Sequence, residues 1–314
     1  MKKILLALFL ILTYCTIQSS AQYNGVGIWN FKRNIEVGEL QYSRSSEKAA
    51  PKIVLPNLFY DNKGFQQSTF NNQTKVLTLI AQKFYNEGSV IYSIDTLGWK
   101  VIASANYTNE YEFGGLESDQ TSGNGVFGVY NDNSGSDLIH TMKINFGNNK
   151  AISIGSFKGS YRGSVFLPST QEYYMAFVNN TGLFVKVFDN NFIEIQEKKS
   201  YFVDNDFPVN DTPLNLIYDP QNDQIIATVS MQYSSTDVTY GLAYFDFNTF
   251  GFDVTNMYGY SGDYFLATVA LKGSNYVYTF ASNIGGDLYM YEWNFLTGRF
   301  LSLTQYYTEI LAAF

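Results

Sequence analysis

A short hairpin recurs along this chain. An apolar strand ends on Asp or Asn, a polar or Gly-containing turn follows, and a second apolar strand leaves. It is seen at residues 27–31, 90–95, 142–145, 184–189, 242–246 and 289–294. The six anchors, Asn30, Asp95, Asn145, Asp189, Asp246 and Asn294, are spaced by 65, 50, 44, 57 and 48 residues. Self-similarity at this length marks a repeat architecture, in which one supersecondary unit packs on copies of itself.

The spacing matches one four-stranded blade of about 40–50 residues, with loop insertions in the longer intervals. Each anchor is expected to close a third strand and open the turn to the fourth. Two further strands precede the later anchors, at 164–167 and 173–178, 214–218 and 224–231, and 265–271 and 276–281. The linkers between them, such as Asp219-Pro220-Gln221-Asn222-Asp223, carry turn chemistry. The first unit has room for two strands at most. The tail 306–314 is therefore expected to pair with the N-terminal strands, which hides the edges that an open array would expose. The 26 Tyr and 26 Phe, with many Val, Ile and Thr, fit strands, and no segment holds a helical apolar period over a dozen residues. The fold expected is an all-β, β-propeller architecture of six blades, with seven as the alternative count. A pair of β-sandwiches lacks the long superperiod, and β-solenoid coils are shorter.

Three of the turns, at residues 95–99, 246–252 and 294–300, resemble the strand-turn-strand signature of β-propeller superfamilies. Ser93-Ile94-Asp95-Thr96-Leu97-Gly98-Trp99 also resembles the Asp-box of sialidase-type propellers, although the Gly-to-Trp spacing differs. That box is a structural turn, so the resemblance implies a fold and no catalytic residue.

Lys2 and Lys3, an apolar run over 4–14 and small residues at Ser19 and Ala21 read as a secretory signal peptide, 1–21, leaving one propeller domain over 22–314. The apolar run is short of the roughly 20 residues a membrane span needs. Cleavage before Gln22 removes Cys15, the sole cysteine, and with it any disulfide or thiolate metal site. Loss of two lysines takes the formal net charge from −8 to −10. With no Lys/Arg cluster, that charge argues against nucleic acid or anionic membrane partners.

His140 lacks a second His or Cys, so a structural strand role is expected of it. A glycosidase would need two carboxylates within about 5–10 Å. The innermost strands recognised in the sequence hold none, so an acidic site would fall to the connectors: Glu110 and Glu112, Asp204 and Asp206, and Asp263. Residues 131–137 and 204–206 are rich in hard oxygen ligands and could hold Ca2+, though the first lacks the downstream Glu of an EF-hand. Hairpin tips are the default reading, and no cofactor is expected.

Aromatic residues give the sharper hint. Tyr107, Tyr111, Tyr161, Tyr201, Phe202, Tyr258, Tyr260 and Tyr264 are expected in blade-to-blade connectors, more than half of them packing between adjacent blades. With Arg162 nearby they suit sugar or protein recognition, since a Tyr ring offers an apolar face and a hydrogen-bonding tip. The candidate ligand face is Glu110, Tyr111, Tyr161, Arg162, Asp204, Asp206, Asp263 and Tyr264. Four sequons, Asn72, Asn106, Asn179 and Asn210, mark glycosylation sites in an exported chain. Three of them, Asn106, Asn179 and Asn210, are expected on the aromatic face, where glycans would crowd a large partner, so either the ligand is small and central or the partner docks elsewhere. The sequence therefore points to an extracellular, glycosylated recognition module for a carbohydrate or protein, without catalysis. A secreted glycosidase or lyase and a structural matrix or coat component are the alternatives.

Overall fold

A computed structural model describes residues 24–42, 50–61, 66–121, 125–132, 138–147, 151–202, 212–232, 238–254, 259–260 and 262–314. The predicted signal segment lies outside the described residues, as do Asp204, Asp206, Asn210, Tyr258 and most of the 131–137 run. Apart from a 3₁₀ turn at Phe84–Asn86, every described regular element is a strand. No described helix is long and apolar enough to cross a membrane.

The strands form six separate sheets, antiparallel but for one two-residue parallel pair, the blades of a six-bladed β-propeller. In blades 3, 4, 5 and 6 the innermost strands are Tyr111–Ser118, Ser160–Leu167, Thr212–Asp219 and Asp263–Ala270, and four strands of each sheet run outward in chain order; blade 5 adds Tyr201–Phe202 outermost, parallel to Gly251–Asp253. Blade 1 takes its innermost strand, Ala312–Ala313, from the far end of the chain, against Asn24–Phe31. Val26 and Phe314 exchange both backbone hydrogen bonds at 2.9 Å, and Tyr42 Oη donates to the Phe314 carbonyl at 3.0 Å. The predicted tail pairing is thus the seam that closes the ring.

Six apolar clusters hold the ring together, one at each junction between neighbouring blades. Strands such as Val76–Lys83, Glu172–Asn179 and Tyr276–Asn283 are buried over five consecutive residues, and because successive side chains point to opposite faces, each such strand packs against both neighbouring blades. Tyr107 and Tyr161 are buried in such junctions, whereas Tyr201, Tyr260 and Tyr264 are exposed.

The recurring anchors are turn formers. Asp95 accepts from the Leu97 amide, Asn145 from Gly147, Asp189 from Asn191 and Ile193, Asp246 from Asn248, and Asn294 from Thr297. All five close the third strand of a blade, as Asx turns should. Asn30 departs from the plan. It ends the second strand of blade 1 and its amide pairs with the Tyr60 backbone at 2.8 and 2.9 Å, stapling blade 1 to blade 2.

Each innermost strand of blades 3 to 6 carries a β-bulge at the same level. The extra residue is Gly114, Arg162, Leu214 or Leu266, opposite the step between the fourth and fifth residues of the partner strand in blade 3 and between the fifth and sixth in blades 4 to 6. Blade 2 breaks at that level too, on a larger scale. Its innermost position is shared by Leu58–Phe59 and Ser68–Asn71, and residues 60–67 are inserted between them. Bulges bend and twist a strand, which suits strands lining a narrow axis.

Three sequence expectations need correction here. Tyr111, Glu112, Tyr161, Arg162, Asp263 and Tyr264 do not sit in connectors but on innermost strands, because the connectors are short: Gly159 alone separates blade 3 from blade 4. The innermost strands are consequently not free of carboxylates, since Glu112 and Glu117 lie in blade 3, Asp219 ends the blade 5 strand and Asp263 starts the blade 6 strand. Finally, Asn30 is not a third-strand anchor.

Candidate functional site

The innermost strands and the tail enclose a channel of about 1100 Å³ along the ring axis. Its mouth lies on the face that carries the first-to-second and third-to-fourth strand turns, where Asn72, Lys75, Trp99, Gln120, Pro220 and Lys272 form the rim. Deeper walls come from Phe70, Phe166, Ile217, Phe265, Val269 and the tail residues 311–314. Polar groups are interspersed: Gln66, Ser68, Thr69, Asn215, Thr228 and Thr268.

Glu117 is the carboxylate inside this wall. It is 7% exposed and projects from the innermost strand of blade 3. Gln66 Nε2 donates to Oε2 at 2.9 Å, and Thr69 Oγ1 and the Ser118 amide donate to Oε1 at 3.3 and 3.2 Å. Burial pushes its carboxyl up to about 8, and the Ser118, Thr69, Gln66 and Phe166 donors recover only part of that penalty. Gln66 is the hub that sets this geometry. Its carbonyl accepts the Leu116 amide at 2.8 Å, and its side-chain Oε1 accepts the Ser164 amide at 3.3 Å, so one residue from the blade 2 insertion links blades 2, 3 and 4.

Two glycines bring the walls together. A Cβ on Gly115 would run into the Tyr161 hydroxyl, which lies across the blade 3 strand and bonds Ser164 Oγ at 2.8 Å. A Cβ on Gly163 would stand 2.8 Å from the Leu216 nitrogen, so the innermost strands of blades 4 and 5 approach closely there. Beside that approach Asn215 lines the channel, and its Oδ1 is buried with no hydrogen-bond partner among the described residues.

A second cleft of about 510 Å³ opens on the opposite face, between blades 2, 3 and 4, lined by Asp61, Gln67, Tyr111, Glu112, Asn131 and Tyr161 among others. Tyr111 packs edge-on against Tyr130 at 5.3 Å.

The remaining candidate residues are scattered. Glu110 is an exposed connector residue that accepts from Thr108 Oγ1. Arg162 occupies the blade 4 bulge, half-buried, and burial lowers its pKa from the ordinary value. Asp263 is buried and accepts from the Tyr291 hydroxyl of its own blade, while Tyr264 borders the channel. Glu110 and Asp263 belong to blades 3 and 6, on opposite sides of the ring, so they form no carboxylate pair. His140 stacks on Tyr130 at 4.9 Å, with Nδ1 2.7 Å from Ser156 Oγ, and has a structural role. Among the described residues no group of three or more His, Cys, Asp or Glu could hold a metal ion. Of the sequons, Asn106 and Asn179 end strands on the face opposite the mouth, and Asn72 stands at the mouth itself.

Sequence reasoning missed Glu117 and Gln66. Gly114-Gly115 has the look of a turn and hides the strand that carries Glu117. The usable signal was the continuation Leu116-Glu117-Ser118, an apolar and polar alternation leading to a hairpin with Val126–Asp132.

No protein-family model matches the chain, and no curated protein matches it. Solved structures do. TolB from Acinetobacter baumannii superposes with a TM-score of 0.59 at 10% identity, over 92% of this chain and 66% of that one. A Bacteroides fragilis protein named as a candidate 6-phosphogluconolactonase gives 0.53 at 13% identity, over 95% and 98%. A prolyl endopeptidase gives 0.50 at 9% identity, over 92% and 49%. At such identities the common ground between this chain and those structures is the fold, a β-propeller.

Proposed function

We propose that this chain is an exported recognition module that binds a carbohydrate in the mouth of its central channel. The observation that carries the reading is the channel wall itself: neutral amides and hydroxyls from Gln66, Thr69, Gln120 and Asn215 alternate with the rings of Phe70, Trp99, Tyr218 and Tyr264. Sugars present apolar C–H faces between hydroxyls, and a concave site with aromatic faces and a few fixed polar groups suits both. A protein partner fits less well. Asn72 is an exposed sequon on the rim, and a glycan there would crowd a large partner while leaving room for a short saccharide.

A second reading, a glycosidase or lyase, is favoured by one observation: a carboxyl pushed up to about 8 could serve as a general acid at neutral pH. Glycoside hydrolysis needs a second carboxylate beside the first. Among the described channel-lining residues the other is Glu39, exposed on the rim with Lys52 at 3.6 Å. Binding without turnover is therefore the stronger reading.

The test is a glycan array probed with the mature chain, followed by the channel-filling variant Leu266→Trp. Retention of a saccharide that the variant loses, without release of shorter sugars, supports the proposal. Binding unaffected by Leu266→Trp would remove the channel from it.

A further inference from the structure

Resting on the reading of the channel as a saccharide site, we infer that its ligand carries a primary ammonium group, as an amino sugar does, and that Glu117 is the counter-ion that receives it. The argument starts from what Glu117 lacks. Its partners Gln66, Thr69 and Ser118 are neutral donors, and among the described residues no Lys or Arg forms an ion pair with it. A buried carboxylate is ordinarily paired or else protonated.

The same wall holds a second acceptor in want of a donor, Asn215 Oδ1, buried without a hydrogen-bond partner among the described residues. Gln66 and the Gly163–Ser164 step lie between the two groups, since Gln66 bonds both Glu117 and the Ser164 amide and Gly163 abuts Asn215. An ammonium has three N–H donors and no acceptor, whereas a hydroxyl supplies one donor. An acceptor-rich wall with a carboxyl whose ionised form has no counter-ion thus favours the ammonium over a neutral sugar and disfavours a sugar acid. The rings of Phe166, Tyr218 and Phe265 line the same space and can face a cation.

Proton bookkeeping supplies an independent readout. With Glu117 largely protonated below pH 8, an incoming ammonium ionises it and a proton leaves to solvent. Among the described residues the titratable groups that act with it are Tyr161 and Tyr173 of blade 4, both raised by burial, so neither supplies that proton at neutral pH; buried Asp119, just past Ser118, also acts on Tyr173.

The experiment is isothermal titration of the mature chain at pH 5.5, where the amino sugar is an ammonium and Glu117 is protonated, in buffers of different ionisation enthalpy, with glucosamine, N-acetylglucosamine, glucose and galacturonic acid oligomers of equal length. The glucosamine oligomer is expected to bind at least about tenfold more tightly than the others, with proton release. Glu117→Gln, shown folded by its melting curve, is expected to reduce the preference below about twofold and abolish the release. Equal binding of neutral and amino oligomers, tighter binding of the acidic one, or a preference retained in Glu117→Gln would each overturn the inference and leave the channel reading intact. Failure of every oligomer to bind would overturn both.

Discussion

Gln66 donates its side-chain amide to the Glu117 carboxylate at 2.9 Å across the junction between blades 2 and 3. The two residues are 51 positions apart, and Gln66 enters the axis only because residues 60–67 are inserted into the innermost strand of blade 2. An insertion at the level where the other blades bulge thereby supplies the polar group that holds the channel's buried carboxylate.

Removing that amide should be costly. Gln66→Leu leaves Glu117 with one donor fewer and the Ser164 amide without its acceptor, a loss on the order of 1–3 kcal/mol. Urea denaturation at pH 7 measures it, and an unchanged midpoint would show that the bridge contributes nothing.

Stability should fall with rising pH through Glu117. Its pKa is about 8 in the folded chain and near 4.5 in the unfolded one, so between those values the folded state binds the extra proton. Folding is then favoured below that window and loses a few kcal/mol as pH climbs through it. Denaturation curves at pH 5, 6, 7 and 8 should show this slope in the wild type and a shallower one in Glu117→Gln; identical slopes would refute the assignment.

Closure by the tail makes a large, simple prediction. Deleting 308–314 removes the innermost strand of blade 1 and uncovers Ile28, Tyr42 and Phe70, which pack on Leu311, Ala312 and Phe314. A melting temperature lowered by 10 °C or more, on the order of several kcal/mol, is expected. A melting curve within 2 °C of the full chain, a margin of roughly 0.5 kcal/mol, would disprove the seam.

Gly115 and Tyr161 should be coupled. Gly115→Ala forces a methyl into the Tyr161 hydroxyl and should cost about 1–3 kcal/mol. Combining it with Tyr161→Ala, which also removes the ring carbons that the methyl would strike, should recover part of that loss, so a double-mutant cycle with no interaction energy would contradict the contact.

What could be read from the sequence follows from how local each interaction is. Asp189 and Asp246 bond amides two to four residues away, so their turns are visible in any short window, and with them the blade period. The tail closure followed from counting strands in an incomplete first unit. Gly114-Gly115 could not be read as strand, because the reason for glycine there is Tyr161, 46 residues later in the next blade. Asn30 shares the anchor pattern, but its side chain is spent on Tyr60 rather than on its own turn. Glu117 became a site residue only once Gln66 and the blade 4 strand had been brought beside it.

The most direct measurement uses Trp99 at the channel rim, since Trp29 and Trp293 are buried between blades. Titrating the mature chain with the saccharide retained on the array should give a saturable change in tryptophan emission. The change should disappear in Trp99→Phe while binding persists, and both should disappear in Leu266→Trp. Saccharide binding that leaves Trp99 emission unchanged and survives Leu266→Trp would contradict the assignment of the central channel as the recognition site.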